Sequence, residues 1–362
     1  MSDGVNVFGY LNTESGLGEA GRLLVRALRS VDYPVSTIGV ASAVSKNNVP
    51  FTIDKEWKYN KVIMSVNSNE LTHTTYHLRD YLKNKYVIGQ WFWELEYFPP
   101  SMHMGFNYVN EVWAPTEFIT KAINKYAPTT VKVNKMQLPL LAPEYDTEIN
   151  KIDIGVEPDR YMFFFTFSFY SMVNRKNPAA IINAFKKAFK PNEGPVLVIK
   201  SANGDKHYSK LNELHALTEG RTDIKIIDKV LEPTKLAALL NITDCYVSLH
   251  RSEGLGLSIA EAMALGKPVI ATNYSGNTEF MNDYVSLLMP WDYVDVGMGN
   301  DVYPPTAKWA EVDITAASQA MRYVYEHQNS AKTMGQHAKE HIETHFSLEA
   351  TGKRMAEYLN SL

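Results

Sequence analysis

The chain has 362 residues, 45% hydrophobic and 21% charged, the balance of a soluble globular protein long enough for two domains. Lys plus Arg number 36 against 40 Asp plus Glu, a net charge of −4, which weighs against nucleic acid as a partner. The single cysteine, Cys245, excludes an intrachain disulfide and a cysteine-rich metal module and favours a reducing compartment. No apolar run reaches the roughly 18 residues of a membrane span, and the N-terminus lacks the pattern of a signal peptide, so the expectation is a cytoplasmic protein.

In chain order, residues 5–10 read as a strand. Residues 19–29 follow as a helix, with Ala20, Leu23, Leu24, Ala27 and Leu28 at helical spacing. Further strands are expected at 35–38, 62–66, 86–91, 111–114 and 131–136, and Thr116 fits a helix N-cap. The pattern restarts with a strand at 161–167, helix 179–189, strands 196–201 and 224–227, helix 234–240, strand 245–249, helix 257–265 and strand 269–272. Helices at 315–327 and 331–345 and a shorter one after Leu348 close the chain. Strands alternating with helices predict parallel sheets covered on both faces. Their repetition predicts an α/β protein of two Rossmann-like domains facing a cleft, joined by the stretch from Leu138 to Arg160.

The most informative segment runs from His250 through Glu253-Gly254-Leu255-Gly256-Leu257-Ser258 to Glu261. It joins a strand to a helix through a glycine loop, the place where open α/β sheets bind ligands. The helix start offers unpaired amides at Leu257 and Ser258 and a positive dipole end, suited to a diphosphate. Glu261 has almost only apolar neighbours, so its helix is expected to be buried nearly all round, and a ligand hydroxyl would satisfy the carboxylate. A narrow solvent-facing stripe is the alternative.

Glu253 and Glu261, spaced Glu-x7-Glu and followed by Ala262-Met263-Ala264-Leu265-Gly266-Lys267-Pro268, closely resemble glycosyltransferase family 4. That family is retaining and metal-independent and has the GT-B fold, two Rossmann-like domains. Asn174-Arg175-Lys176-Asn177-Pro178 is similar to its cationic phosphate loop, and Tyr274-Ser275-Gly276-Asn277 to a later segment. Trp91-Phe92-Trp93-Glu94-Leu95 and Glu111-Val112-Trp113-Ala114-Pro115 are also similar to family members. The resemblance implies that Glu253 touches hydroxyls of the transferred sugar and Glu261 the nucleotide ribose. Amides following Gly254 would hold sugar or phosphate oxygens.

Breaking a sugar–diphosphate bond leaves negative charge on the phosphate, which cations and helix N-termini stabilise. Asn177-Pro178 reads as an N-cap with Pro at N1. Lys176 is therefore the expected main diphosphate contact and Arg175 its partner, with a solvated surface pair as the alternative. Family members often carry an earlier basic residue in this loop; here residues 168–173 contain no cation. Lys200 is a weaker candidate for the same cleft.

Gly16-Leu17-Gly18-Glu19-Ala20-Gly21 matches the dinucleotide fingerprint Gly-x-Gly-x-x-Gly, which raises an NAD-dependent oxidoreductase as the rival reading. Five residues separate the first strand from Gly16, and no acid follows the second strand, both against that reading. In the transferase reading, Gly16, Leu17 and Gly18 line the cleft near diphosphate or acceptor. The aromatic run ending in Glu94 is expected at the cleft mouth, with Glu94 contacting a sugar hydroxyl and Glu96 as the fallback; an aromatic core is the alternative. His250 is the best placed histidine, although a departing phosphate that takes the acceptor proton makes no histidine base necessary. His337, His341 and His345 read as a solvated or capping stripe, and no metal site is expected.

The reading is a GT-B glycosyltransferase with an acceptor domain at 1–155, onto which helix 348–362 packs back, and a donor domain at 156–345. It would move sugar from a nucleotide-diphosphate donor to a glycan, lipid-linked or other hydroxyl acceptor, with retention. It would need no metal and no cofactor beyond the donor, and it would serve bacterial surface polysaccharide or glycan assembly. Peripheral membrane association stays open, as does a non-catalytic glycan-binding relative.

Overall fold

The computed structural model describes residues 4–43, 45–300 and 302–362. In chain order its elements begin β1 (Val5–Gly9), α1 (Gly16–Arg29), β2 (Val35–Gly39), β3 (Lys61–Ser65), α2 (Ser68–Leu82), β4 (Tyr86–Gln90), α3 (Pro100–His103), β5 (Glu111–Ala114), α4 (Glu117–Asn124) and β6 (Lys132–Lys135). They continue β7 (Met162–Ser168), α5 (Val173–Lys176), α6 (Pro178–Ala188), β8 (Val196–Ala202), α7 (Tyr208–Leu217), β9 (Ile224–Asp228), α8 (Pro233–Ile242), β10 (Cys245–Ser248), α9 (Leu257–Ala264) and β11 (Val269–Thr272). The chain closes with β12 (Leu287–Met289), β13 (Trp291–Asp295), β14 (Lys308–Val312), α10 (Ile314–Glu326), α11 (Gln328–His345) and α12 (Leu348–Asn360).

Two compact units result. One runs to Leu140 and takes back Thr344–Leu362; the other is Leu141–Glu343. The domain boundary expected at 155 therefore lies inside the second unit. The reason is a set of polar ties: Lys151 Nζ donates to Asp244 Oδ2 at 2.6 Å and to Arg160 O at 2.8 Å, and Asp146 N–H donates to Thr234 O.

The first unit carries a six-stranded parallel sheet in the order β2-β1-β3-β4-β5-β6. Its central strands are apolar on both sides, as a sheet covered by helices on both faces requires; Val5, Val7, Val62, Ile63, Ile88 and Val112 are all buried. Thr116 caps α4 by accepting from Ile119 N–H at 3.3 Å. The C-terminal α12 starts at Ser347, whose hydroxyl accepts from Ala350 N–H. It packs against α1 so closely that a Cβ on Gly352 would lie 2.1 Å from Ala27 O.

A buried carboxylate fixes that docking. Glu111 on β5 accepts from Trp113 Nε1 at 2.5 Å and from the hydroxyls of Tyr86 and Tyr358 at 2.9 Å each. Asn134 on β6 donates to the Tyr358 hydroxyl at 2.8 Å.

The second unit has six parallel strands in the order β12-β11-β10-β7-β8-β9, and a separate antiparallel pair, β13 with β14. Counted from β7, the sheet order is 3-2-1-4-5-6 reversed, the doubly wound order of nucleotide-binding sheets. Phe163, Phe164, Phe165, Val198, Ile199 and Val247 fill its core. The elements missed from sequence are α2, α3, α5, α7, β12 and the β13–β14 hairpin, where short length or a polar surface blurs the periodicity.

Tyr358→Phe removes one hydrogen bond to a buried carboxylate. It is expected to lower unfolding free energy by about 1–2 kcal/mol, read by urea denaturation; an unchanged midpoint would show that Glu111 does not hold α12.

Candidate functional site

In a doubly wound sheet the ligand crevice opens where strand order reverses, outside the carboxyl ends of the strands. In the second unit that point lies between β7 and β10. Beyond β7 the chain forms a 3-10 turn, Phe169–Ser171, and the short α5 bearing Arg175 and Lys176. Beyond β10 it forms the loop from Leu249 to Gly256, carrying His250 and Glu253, and then α9. Sheet topology thus brings both sequence motifs to one place.

There Glu253 is 6% exposed. Lys176 Nζ lies 2.6 Å from its Oε1, and Arg175 Nη1 lies 3.1 Å from its Oε2. Arg175 also donates to Ser252 O at 2.8 Å and Ser171 O at 3.2 Å. Burial pushes the Glu253 carboxyl up, but Lys176, Arg175 and His250 outweigh burial and bring it down to about 2. A buried carboxylate held by two cations stays ionised.

Backbone packing builds the loop. The Glu253 amide donates to Ser275 Oγ at 2.8 Å, and Gly276 N–H donates to Glu253 O at 2.8 Å. A Cβ on Gly276 would lie 2.1 Å from Gly254 O, so glycine is required there. Gly256 begins α9 at φ +90°, and no side chain caps the helix; the turn's internal bonding begins with Ile259 N–H to Gly256 O. Leu255 is buried beneath it. The phosphate-loop side is strained, since Met172 and Asn177, at the two ends of α5, have φ +62° and +53°. Asn177 occupies the N-cap of α6 with Pro178 in the first turn, as expected, but its side chain makes no cap hydrogen bond. Its amide instead reaches Glu311 Oε1 at 3.4 Å.

Glu261 departs from expectation. Leu257, Ser258, Glu261 and Leu265 form a half-exposed stripe on α9, while Ile259, Ala260, Ala262 and Met263 are buried. The helix is therefore not buried all round, because one face stays uncovered at the carboxyl edge of the sheet. Tyr246 on β10 belongs to the same neighbourhood: burial raises its hydroxyl, then Glu253 and Glu261 add to the shift, with Ser258 as a hydrogen-bond partner. Lys200 lies on β8 in register with Thr166 and Ile227, buried. Burial lowers its proton affinity and Asp228 partly restores it.

His250 is fully buried, and neither ring nitrogen has a hydrogen-bond partner. Burial drops it to about 4; Lys176 and Arg175 act the same way, Glu253 opposes, and Asn277 is near enough to favour the protonated ring. It is thus a neutral imidazole at neutral pH. Among the described residues, no group of three or more His, Cys, Asp or Glu is arranged to hold a metal ion. His337 stacks on Tyr284 at 4.6 Å.

In the first unit two expectations are corrected. Residues 16–18 are the first turn of α1 rather than a loop ahead of it: Ser15 is the N-cap, and its hydroxyl accepts from Gly18 N–H at 3.1 Å. Gly18 is needed because a Cβ would lie 2.4 Å from Thr13 O, whereas Gly16 faces open space. Leu17, half-buried, shares that turn. The Trp91-Phe92-Trp93 run is core. Trp91 and Trp93 are 1% and 2% exposed and pack with Phe98 and Phe106, so these two rings present no face to a sugar. Glu94 and Glu96 remain half-buried beside that cluster.

Sequence reasoning missed the site-building roles of Ser275, Tyr246 and Glu311. The tight backbone contact at Gly276 carried the only visible signal, a Ser-Gly pair after a strand.

Two parallel α/β sheets, with a cation-bearing loop and a glycine loop at one switch point, define the class: GT-B proteins, built from two Rossmann-like units. Residues 155–292, within the second unit, match the family model described as glycosyl transferases group 1. HepE from Anabaena, solved in complex with UDP and glucose, is 14% identical over 100% of both chains with a TM-score of 0.70. Sucrose-phosphate synthase from Thermosynechococcus elongatus is 13% identical over 99% of each chain, TM-score 0.71. A glycosyltransferase from Rickettsia africae is 15% identical over 100% of this chain and 99% of its own, TM-score 0.69. At these identities the likeness establishes the fold. No curated protein sequence matches significantly.

Gly276→Ala is expected to displace the Glu253 loop and cut turnover by at least about tenfold, close to 1.4 kcal/mol in barrier; steady-state rates equal to wild type would contradict the packing argument. The pH dependence follows from His250 and Glu253. Both hold protons less tightly in the folded chain, so protonation favours unfolding. Stability is complete above about 6.5 and declines as pH falls, through His250 down to about 4 and through Glu253 between about 4.5 and 2. His250→Gln should flatten the upper window in urea titrations; an unchanged pH profile would mean the imidazole is not buried neutral.

Proposed function

We propose that the protein is a retaining glycosyltransferase that moves a sugar from a nucleotide-diphosphate donor to a hydroxyl acceptor. The observation that carries the reading is the buried group Lys176–Glu253–Arg175 at the switch point of the second unit's sheet. Uracil is the donor base we favour, because HepE was solved with UDP and with UDP-glucose.

In this reading Lys176 and Arg175 meet the charge that develops on the departing diphosphate, and no metal ion or further cofactor is called for. The start of α9 adds its dipole. In the free protein Glu253 is the anion that both cations hold. A donor diphosphate competes for them and frees the carboxylate to accept from sugar hydroxyls. Glu261, on its half-exposed stripe, takes the ribose hydroxyls. The anomeric carbon–phosphate bond breaks, the acceptor oxygen bonds the same face of the sugar, and the acceptor proton passes to the departing phosphate. His250, buried and neutral, is assigned no role as a base. Glu94 and the first turn of α1 at Gly16 and Leu17 are the contacts we assign to the acceptor. That acceptor is a glycan or lipid-linked hydroxyl, and the setting is the cytoplasm, with peripheral attachment to the membrane where the acceptor is lipid-linked. No helix among the described residues is long and apolar enough to cross a membrane.

The rival dinucleotide reading loses support because the Gly18 amide is already engaged by Ser15. Incubation with UDP, GDP, ADP and dTDP tests the donor site: a nucleotide at one hundred times its dissociation constant adds about 2.7 kcal/mol of stability. No shift with any of the four would sink the reading. Lys176→Ala and Glu253→Ala are each expected to lower turnover at least about tenfold. Glu253→Gln separates the roles: turnover should fall while the free nucleoside diphosphate binds more tightly, since the cations lose their internal anion. Weaker binding in that variant would count against the competition between carboxylate and diphosphate.

A further inference from the structure

The β13–β14 hairpin stands apart from both main sheets, and all of it beyond its first two residues lies past the family match, which ends at residue 292. Its side chains nevertheless converge on the phosphate loop. Glu311 on β14 accepts from Arg251 Nε at 2.7 Å and Nη2 at 2.5 Å. The same guanidinium donates from Nη1 to Asn174 O at 2.7 Å and lies over the ring of Trp309, 5.6 Å from its centroid. The second Glu311 oxygen accepts from Asn177 Nδ2. In the hairpin's connecting segment, buried Asn300 accepts from Asn174 Nδ2 at 3.0 Å and is itself fixed by donating to Val296 O at 2.8 Å. Backbone bonds complete the frame, Arg251 N–H to Arg175 O at 2.8 Å and Ala310 N–H to Arg251 O at 3.0 Å.

Directly or through Arg251, these contacts reach Asn174 and Asn177, which flank Arg175 and Lys176, and the Arg175 carbonyl. That segment is a four-residue helix bounded by two non-glycine residues at positive φ. Such backbone persists only where its surroundings over-determine it. Its own backbone closes bonds only onto Met172 and Val173, from the amides of Arg175, Lys176 and Asn177, while the Asn177 side-chain amide makes no cap bond to α6 and reaches Glu311.

We infer that Glu311 is a positioning residue: through Arg251 and Asn177, and with Asn300 on Asn174, the hairpin holds the strained α5 so that Lys176 and Arg175 point at the donor diphosphate. The inference rests on the reading of Lys176 as a diphosphate contact. It gives the hairpin a role in donor binding that lies outside the matched family segment.

The test measures nucleoside diphosphate affinity by calorimetry, with whichever of UDP, GDP, ADP or dTDP binds the wild type, alongside kcat and both KM values. Glu311→Ala should weaken the diphosphate and lower kcat by about tenfold, and leave the acceptor KM unchanged. Glu311→Gln, which keeps an acceptor oxygen, should lose about threefold, and Asn300→Ala a similar amount. In a Lys176→Ala background, Glu311→Ala should cost almost nothing more, because residues acting through one group are not additive. Wild-type affinity in Glu311→Ala, or a full tenfold loss persisting in the Lys176→Ala background, would overturn the inference. If Glu311→Ala fails to fold, Glu311→Gln and Asn300→Ala decide the matter, and wild-type behaviour of both overturns it. Lys176→Ala binding as wild type would instead sink the underlying reading of the loop.

Discussion

The second unit's site depends on one electrostatic constraint: a carboxylate taken out of water needs partners, and here those partners are cations. Glu253 is almost wholly buried and is held by Lys176 and Arg175. Removing one partner from such a group leaves an uncompensated buried charge, typically a cost of about 3–5 kcal/mol. The phosphate loop and the glycine loop are therefore coupled through a shared ion pair as well as through the backbone. In the proposed function the same arrangement is what an incoming diphosphate competes with. In a chain of net charge −4, topology thus gathers two cations at one place and keeps them from solvent.

Around that pair the second unit is layered. The Ser275–Gly276 turn supports the Glu253 loop by backbone contact. The hairpin supports the other side through Glu311, Arg251 and the two asparagines. His250 fills the space beneath as a neutral ring, where a charged one would repel Lys176 and Arg175. The first unit shows a different solution to a buried acid. Glu111 has no cation among its hydrogen-bond donors and is satisfied by a tryptophan and two tyrosines, one of them on α12. A carboxylate with neutral donors suits a structural tie, whereas one with cations suits a site that must exchange anions.

Much of this was legible from residues. The Glu-x7-Glu spacing, the glycines between them and the Arg-Lys-Asn-Pro run each carry local chemistry, and each ends up beside the switch point. Thr116 as a cap and the strand at 111–114 could be read because capping and apolar runs are local. Other features could not. Trp91 and Trp93 follow a strand, and that placement fits a cleft mouth and a core equally well; only their neighbours Phe98 and Phe106 decide for the core. Gly16 and Gly18 look like a phosphate cradle until Ser15 is seen to cap the helix through the Gly18 amide. Glu311 sits in a mixed polar strand, and nothing local marks it as the partner of Arg251, 60 positions away.

The sequence by itself determined the class of fold, the repeated strand–helix alternation and the identity of the charged residues, because periodicity, glycine placement and capping act over a few positions. Tertiary structure alone decided which charges meet, which aromatics are hidden and where the units divide. Those outcomes depend on strand order, and parallel sheets bring together residues 77 positions apart, as for Lys176 and Glu253, that no local pattern relates. Burial then converts that proximity into chemistry, since the same Glu-Lys pair in open solvent would be worth little, and at the switch point it sets the charge state of the site.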